Sequence, residues 1–180
     1  LLLNGGFCAV GDGTILLSSS HELDGYPVLL VRPKVSRPHE DDPESLEMLK
    51  RSLRLDESYR YVRAYRIIMD LLPALHRRDL RAVGEVVWEF QFSGTHQSMI
   101  QGYNDGGVEI IRTMTFLRRS GAQIVGMSSV GPTVYAISED LECVIQDARS
   151  AGLQYTISQV EPSGVSFVDP CINDRALRRE

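Results

Sequence analysis

The stretch from Ala122 to Ile137 limits the fold of this chain more than any other. Two short apolar runs, Ala122-Gln123-Ile124-Val125 and Thr133-Val134-Tyr135-Ala136-Ile137, flank the small and hydroxylated residues from Gly126 to Pro132. β-prone segments joined by Gly, Ser and Pro predict a tight strand–loop–strand unit. Gly126, Ser128, Ser129 and Gly131 leave the backbone open to close approach, and the serines add hydroxyl donors. Successive N–H groups in such a loop can form a concavity for a phosphate or carboxylate. The same residue types also close ordinary β-turns.

The rest of the chain falls into place around that unit. Phe7–Val10 and Thr14–Leu17 read as a hairpin turned at Gly11-Asp12-Gly13. Tyr26–Pro33 is an almost continuous apolar run bounded by prolines, which predicts a central strand buried on both faces. After a polar crossing from Lys34 to Pro43, Leu46, Met48, Leu49 and Leu53 predict a short helix. Asp56 or Ser58 is placed to cap a second helix, whose Tyr61, Tyr65, Ile68, Leu72 and Leu75 form one stripe read as core. Pro73 should break or bend it. Asp79 is a cap for a third helix carrying Leu80, Val83, Val86, Val87 and Phe90, and Ser93–Gln97 interrupts the helical pattern. Helical spacing resumes at Val108, Ile111, Thr115 and Leu117 and stops at Ser120-Gly121.

Beyond the central loop, Ser138-Glu139-Asp140 is a helix start, and Leu141, Val144, Ile145 and Ala148 are the apolar face. Leu153–Val160 alternates as a strand with one buried face, and Val165–Val168 is a short final strand. From Pro27 onward the order is strand, helices, strand, strand, helix, strand. That order predicts an α+β, ferredoxin-like fold: an antiparallel sheet with helices on one face and extra helices in the first crossover.

Composition narrows the functional classes. A net charge of −5, with arginines only in short scattered pairs, argues against nucleic-acid binding. No apolar run is long enough for a membrane span, which argues against a membrane partner. Cys8, Cys143 and Cys171 show neither a CxxC spacing nor a disulfide framework, so a reducing, cytoplasmic setting is expected. The chain begins inside an apolar run without Met, which suggests a portion of something larger.

The segment Gly126-Met127-Ser128-Ser129-Val130-Gly131-Pro132-Thr133-Val134-Tyr135-Ala136 resembles the third motif of the GHMP superfamily, a Gly-rich hairpin of its C-terminal domain. Its Ser-Ser-x-Gly-Pro-Thr-x-Tyr-Ala form is similar to that of the β-ribofuranosylaminobenzene 5′-phosphate synthases, archaeal enzymes that open the side-arm pathway to methanopterin. Asn4-Gly5-Gly6-Phe7 followed by Gly11-Asp12-Gly13 resembles the Gly-Gly-Phe…Asp-Gly-Gly stretch of that family, but departs from its Asp-Gly-Gly order. The resemblance spans roughly Asn4 to Val168, and its specific part is the central loop. It implies that residues 1–25 are a remnant of an N-terminal domain and that residues 26–180 are the GHMP-type C-terminal domain. The superfamily's principal phosphate loop would lie before Leu1.

The implied reaction transfers the ribosyl 5-phosphate of phosphoribosyl diphosphate to a 4-substituted benzoate, 4-aminobenzoate or 4-hydroxybenzoate, with loss of carbon dioxide and pyrophosphate. Magnesium is the implied cofactor. Gly126, Met127, Ser128, Ser129, Gly131, Pro132, Thr133, Gly5 and Gly6 are the implied substrate and phosphate contacts. Two other classes stand beside this one: an ATP-dependent GHMP small-molecule kinase, and a non-catalytic ferredoxin-like ligand-binding or interaction domain. A homodimer would suit a soluble enzyme of this size.

Other candidate residues carry alternatives. His96 and Gln97, in the polar interruption, suit a general acid or base, or a helix cap. Glu85 and Glu89 share a helix side and suit either a magnesium site or a solvated face. His21, His39 and His76 lack metal-ligand spacing, so no metal site is predicted from them. Asp41, Asp42 and Glu44 read as a solvated loop, and Cys143 as a core residue rather than a nucleophile.

Overall fold

The structure is a computed structural model and describes residues 7–11, 14–19, 23–35 and 43–160. The expected strand at Val165–Val168, and Gly5, Gly6, Asp12, His21, His39, Asp41 and Asp42, lie outside them. Two compact units are formed. One contains the antiparallel hairpin of β1 (Phe7–Gly11) and β2 (Thr14–Ser19). The other, Tyr26–Gln159, contains all the other described strands and helices.

In that unit β3 (Pro27–Val31) leads into α1 (Pro43–Arg66), a π turn (Ile67–Leu71), α2 (Leu72–His76), α3 (Leu80–Gln91), α4 (Gly94–Gly102) and α5 (Asp105–Arg119). Then follow β4 (Ile124–Met127), β5 (Val134–Ile137), α6 (Glu142–Ser150) and β6 (Tyr155–Gln159). The sheet order is β4-β5-β3-β6, with every neighbouring pair antiparallel. β3 and β4 therefore run parallel with β5 inserted between them, which is the split βαβ arrangement of a ferredoxin-like fold. The α+β expectation holds, with α1 to α5 filling the first crossover.

β3 is central, as its apolar run predicts, and its prolines fall at its first residue and just past its end. Leu29 and Val31 are fully buried, while Val28 and Leu30 on the opposite face are only half-buried. The core under Leu29 and Val31 is built from Val125, Met127, Val134, Ala136, Ile110, Met114, Leu117, Leu141, Val144 and Ala148. The edge strand β4 is buried along its whole length because α3 packs against it. Gly84 makes that approach possible: a Cβ there would sit 1.8 Å from the Gln123 carbonyl oxygen.

Several local expectations are corrected. Asp56 and Ser58 do not open a second helix, since α1 runs unbroken through both. Asp56 instead turns inward and accepts from the Thr95 N–H at the start of α4, 2.8 Å away. The expected interruption at Ser93–Gln97 is shorter than predicted: the helical structure breaks at Phe92 and Ser93, and residues 94–97 already open α4. Short polar residues favour helix beginnings, so the polarity there marked an N-terminus.

Tyr61 and Tyr65 are not core. They are 83% and 62% exposed, while Ser52, Asp56 and Arg63 occupy the inward side of α1. The π turn explains why Leu75 is nevertheless buried. The Leu72 N–H bonds to the Ile67 carbonyl, one residue further back than in an α-helix, so the stripe is re-phased before Pro73. Pro73 then sits in the first turn of α2, where its missing N–H costs little.

On α5 the buried residues are Ile110, Thr113, Met114 and Leu117, and Val108 is half-exposed. Asp79 caps α3 as expected, accepting from the Ala82 N–H at 3.0 Å. Ser138 does not cap α6; its hydroxyl donates to Gln123 Oε1, and Asp140 accepts from the Glu142 N–H. Cys143 is exposed rather than core, one step off the Val144 stripe. β6 pairs with β3 on one side only, and Ile157 is 54% exposed, so its alternation marks an uncovered edge strand among the described residues.

Candidate functional site

The β4–β5 connection is the strand–loop–strand unit the residues predict, with Met127 paired to Val134 at its base. Two hydrogen bonds within the loop define its shape. The Ser128 N–H donates to the Thr133 carbonyl, and the Gly131 N–H donates to the Ser128 carbonyl, each at 2.8 Å. Ser129 takes a left-handed conformation with φ 51°, and Gly131 follows with φ 79°. Gly131–Pro132 is a cis peptide bond.

Gly131 is required twice over at its position. Its φ disfavours a side chain, and a Cβ would lie 2.6 Å from Met127 Sδ and 3.3 Å from the Tyr103 ring. The loop thus rests on Met127 and on Tyr103, whose hydroxyl donates to the Val130 carbonyl at 2.9 Å. Met127 is buried and is itself held: Gln91 Oε1, at the end of α3, accepts from the Met127 N–H at 2.8 Å. Gln91 also donates from Nε2 to the Val87 carbonyl at 3.2 Å, which fixes the amide orientation. Tyr103 and Gln91 had no signal in the sequence beyond their residue types.

Of the expected contacts, Gly126, Met127 and Pro132 are buried supports, and Gly126 packs against Tyr135 and Gln91. Ser128 and Ser129 are exposed at the loop's tip, and Thr133 is half-buried at its base. The N–H groups of Ser128 and Gly131 are already used, and Pro132 has none. At the tip, the exposed residues Ser129 and Val130 have backbone N–H groups that enter neither of these bonds. Those donors and the two serine hydroxyls suit one anionic oxygen cluster rather than an enclosing cradle. Burial of Tyr135, beneath the loop, pushes its phenol up to about 12.

Beside the loop's anchor lies an open groove of about 620 Å³, lined by Lys34, Val35, Tyr103, Asn104, Asp105, Gly106, Val108, Glu109 and Arg112. Val35, Val108 and the Tyr103 ring are apolar walls. Lys34 has no ion pair among the described residues, whereas Arg112 is engaged by Glu109 at 2.5 Å.

His96 and Gln97 lie on the first turn of α4, and His96 faces a separate polar knot. Arg63 donates to Asp56 Oδ1 at 2.9 Å and to the Ser93 carbonyl at 2.7 Å, and the Thr95 hydroxyl also bonds to Asp56. Burial and the neighbouring Arg63 hold the His96 imidazole below its ordinary pKa, while Asp56 opposes them. His96 Nδ1 is buried without a hydrogen-bond partner. This knot fastens α1 to the α3–α4 turn.

Glu85 and Glu89 are both committed to arginines: Glu85 to Arg118 at 2.5 Å and Glu89 to Arg66 at 2.6 Å. Among the described residues no three His, Cys, Asp or Glu side chains gather as a metal site. No helix among the described residues is long and apolar enough to cross a membrane.

Two solved structures share the α+β fold of this chain. Mevalonate diphosphate decarboxylase from Staphylococcus aureus superposes with a TM-score of 0.62 at 16% identity, covering 93% of this chain and 55% of that one. A putative homoserine kinase from Listeria monocytogenes gives 0.50 at 16% identity, covering 93% and 54%. The chain thus spans about half the length of each. No family model matches the sequence, and no curated protein matches it.

Proposed function

We propose that this chain is the C-terminal portion of a GHMP-superfamily enzyme whose β4–β5 loop contacts a phosphorylated small-molecule substrate. The reaction we favour is decarboxylating phosphoribosyl transfer to a 4-substituted benzoate, as in the methanopterin side-arm pathway. The observation that carries the reading is the loop itself: Ser128 and Ser129 are exposed, Ser129 and Val130 have N–H groups that enter neither of the loop's own bonds, and the sequence has the Ser-Ser-x-Gly-Pro-Thr form.

The chemistry is consistent with those groups. A bond forms between the ribosyl anomeric carbon and the ring carbon bearing the carboxylate, as the anomeric bond to pyrophosphate breaks. The ring-to-carboxylate bond then breaks, its electron pair restores aromaticity, and carbon dioxide leaves. A 4-amino or 4-hydroxy group donates electron density to the attacking carbon, which lies para to it. Donors at the loop tip would stabilise charge developing on the phosphate-bearing partner, an effect that preorganised hydrogen bonds deliver without reorganisation. The groove beside Tyr103 would take the acceptor, with Val35, Val108 and Tyr103 against the ring and Lys34 against the carboxylate, where it has to outweigh the lining Asp105. Magnesium would enter with the diphosphate. The remaining phosphate contacts would come from an N-terminal domain.

The test is release of carbon dioxide from carboxyl-labelled 4-hydroxybenzoate by the full-length protein with phosphoribosyl diphosphate and magnesium. Ser129→Gly keeps the left-handed backbone while removing the hydroxyl, and it should lower kcat/KM by about tenfold or more. Full activity in that variant would remove the loop from the chemistry. The kinase is the second reading, favoured by the fold shared with the homoserine kinase structure. Phosphate transfer from ATP to a small alcohol, with no carbon dioxide released, would establish it instead.

A further inference from the structure

The tip of the β4–β5 loop is a run of consecutive peptide groups that are held unequally. The Ser128–Ser129 peptide is pinned by its carbonyl, which accepts from the Gly131 N–H at 2.8 Å. The Val130–Gly131 peptide is pinned at both ends, because the Val130 carbonyl also accepts from the Tyr103 hydroxyl at 2.9 Å. The Ser129–Val130 peptide hangs between these two. The Ser129 and Val130 N–H groups, the donors offered to an anion, belong to the first and the middle peptide. Their direction is therefore set by the two pinned groups. One pin comes from within the loop, and the other comes from Tyr103.

Tyr103 also belongs to the groove. It follows α4, where its N–H donates to the Ile100 carbonyl at 3.2 Å and its own carbonyl accepts from the Gly106 N–H at 2.9 Å. These bonds fix its backbone in the turn that leads into α5. Val35 packs on the same turn, so close that a Cβ on Gly106 would lie 3.2 Å from the Val35 Cβ. The Tyr103 ring reaches from that turn to Gly131, and with Val35 and Val108 it lines the groove. A single side chain thus touches both halves of the site, the groove by its ring and the loop by its hydroxyl.

We propose that Tyr103 couples the two halves, so that an aromatic carboxylate in the groove and a phosphate at the loop tip each tighten the binding of the other. This rests on the reading that the groove takes the acceptor and the loop the phosphorylated donor. A ring packed in the groove confines the Tyr103 ring, and with it the hydroxyl, to the position that meets the Val130 carbonyl. The loop-tip donors are then ordered before the phosphate arrives, and phosphate binding no longer carries that entropic cost. Linkage makes the effect reciprocal, with one factor for both ligands. A single hydrogen bond held or lost corresponds to a factor of about five. The diphosphate is consequently held best when the acceptor is already beside it.

The test is calorimetric titration of the full-length protein with magnesium, phosphoribosyl diphosphate and benzoate. Benzoate has the ring and the carboxylate but lacks the 4-substituent that activates the ring carbon, so the pair binds without turning over. Saturating benzoate should lower the Kd of phosphoribosyl diphosphate about fivefold, and the reverse titration should give the same factor. Tyr103→Phe keeps the ring and removes the hydroxyl. It should bind benzoate alone with an unchanged Kd and reduce the mutual effect to below about twofold. Tyr135→Phe removes a buried phenol beneath the loop, outside the groove lining, and should retain the full effect. A mutual effect that persists undiminished in Tyr103→Phe would overturn the role of Tyr103. Independent binding of both ligands to the unaltered protein would overturn the coupling and leave the proposed reaction standing. If either ligand fails to bind, the underlying reading falls and the coupling falls with it.

Discussion

Replacing Gln91 by Met should loosen the candidate site from behind while leaving its exposed residues unchanged. Gln91 is 2% exposed, and its Oε1 accepts from the Met127 N–H on the outer edge of β4 at 2.8 Å. That N–H has no neighbouring strand to turn to, because β4 is the end of the sheet and α3 covers it. Met conserves the volume and flexibility of Gln but offers no acceptor. The N–H is then left buried and unpaired, at a cost of about 1–3 kcal/mol. Loss of the 3.2 Å bond to the Val87 carbonyl adds little, because that oxygen lies within the α3 hydrogen-bond ladder. About 2 kcal/mol in all corresponds to a fall in Tm of roughly 4–8 °C for a domain of this size. Urea unfolding followed by circular dichroism should show a lower midpoint at an unchanged m-value. A destabilisation below about 0.5 kcal/mol, the level of an ordinary surface substitution, would refute the role given to Gln91.

Three further outcomes follow from the same structure. Gly84→Ala places a Cβ 1.8 Å from the Gln123 carbonyl oxygen, a backbone atom that cannot swing away. It should cost about 3 kcal/mol or prevent folding, and a near-neutral urea midpoint would contradict the close α3–β4 approach. Asp56→Ala leaves a partly buried Arg63 and the Thr95 N–H without their acceptor. With Asp56 partly exposed, about 2 kcal/mol is expected, read by the same unfolding assay, and Asp56→Asn should recover part of it. His96 has its pKa lowered in the folded protein, so the unfolded chain takes up a proton first. Stability should therefore fall as pH drops from the unfolded value of about 6.5 toward the lower folded value, and flatten below it. His96→Gln should remove that part of the pH dependence, and an unchanged pH profile in the variant would assign it to other groups.

Periodicity and turn chemistry made the sheet legible in advance. The proline-bounded run at β3, the Gly/Ser/Pro loop between β4 and β5, and the Asp79 cap are local signals, and each is where the residues place it. α1 was misread because apolar spacing does not say which way a stripe faces. Its inward side is held by ion pairs and carbonyl contacts that join Arg63 to residues 27 and 30 positions away, and no local window contains them. The π turn re-phases the stripe at Leu72, so that Tyr61 and Leu75, on one line in an ideal helix, end on opposite sides of the exposure scale. The outer half of the candidate site was legible as small and hydroxylated residues. Its supports were not, because Gln91, at the end of α3, and Tyr103, just past α4, reach it over 36 and 27 residues of sequence.

The measurement that tests the central proposal most directly is the thermal stability of the full-length protein with magnesium and either phosphoribosyl diphosphate or ATP. A ligand at a hundred times its Kd stabilises the native state by about 2.7 kcal/mol, enough to raise Tm by several degrees. The account predicts a shift with phosphoribosyl diphosphate, diminished in Ser129→Gly, and none with ATP. A shift with ATP alone would contradict it and make the loop part of a kinase.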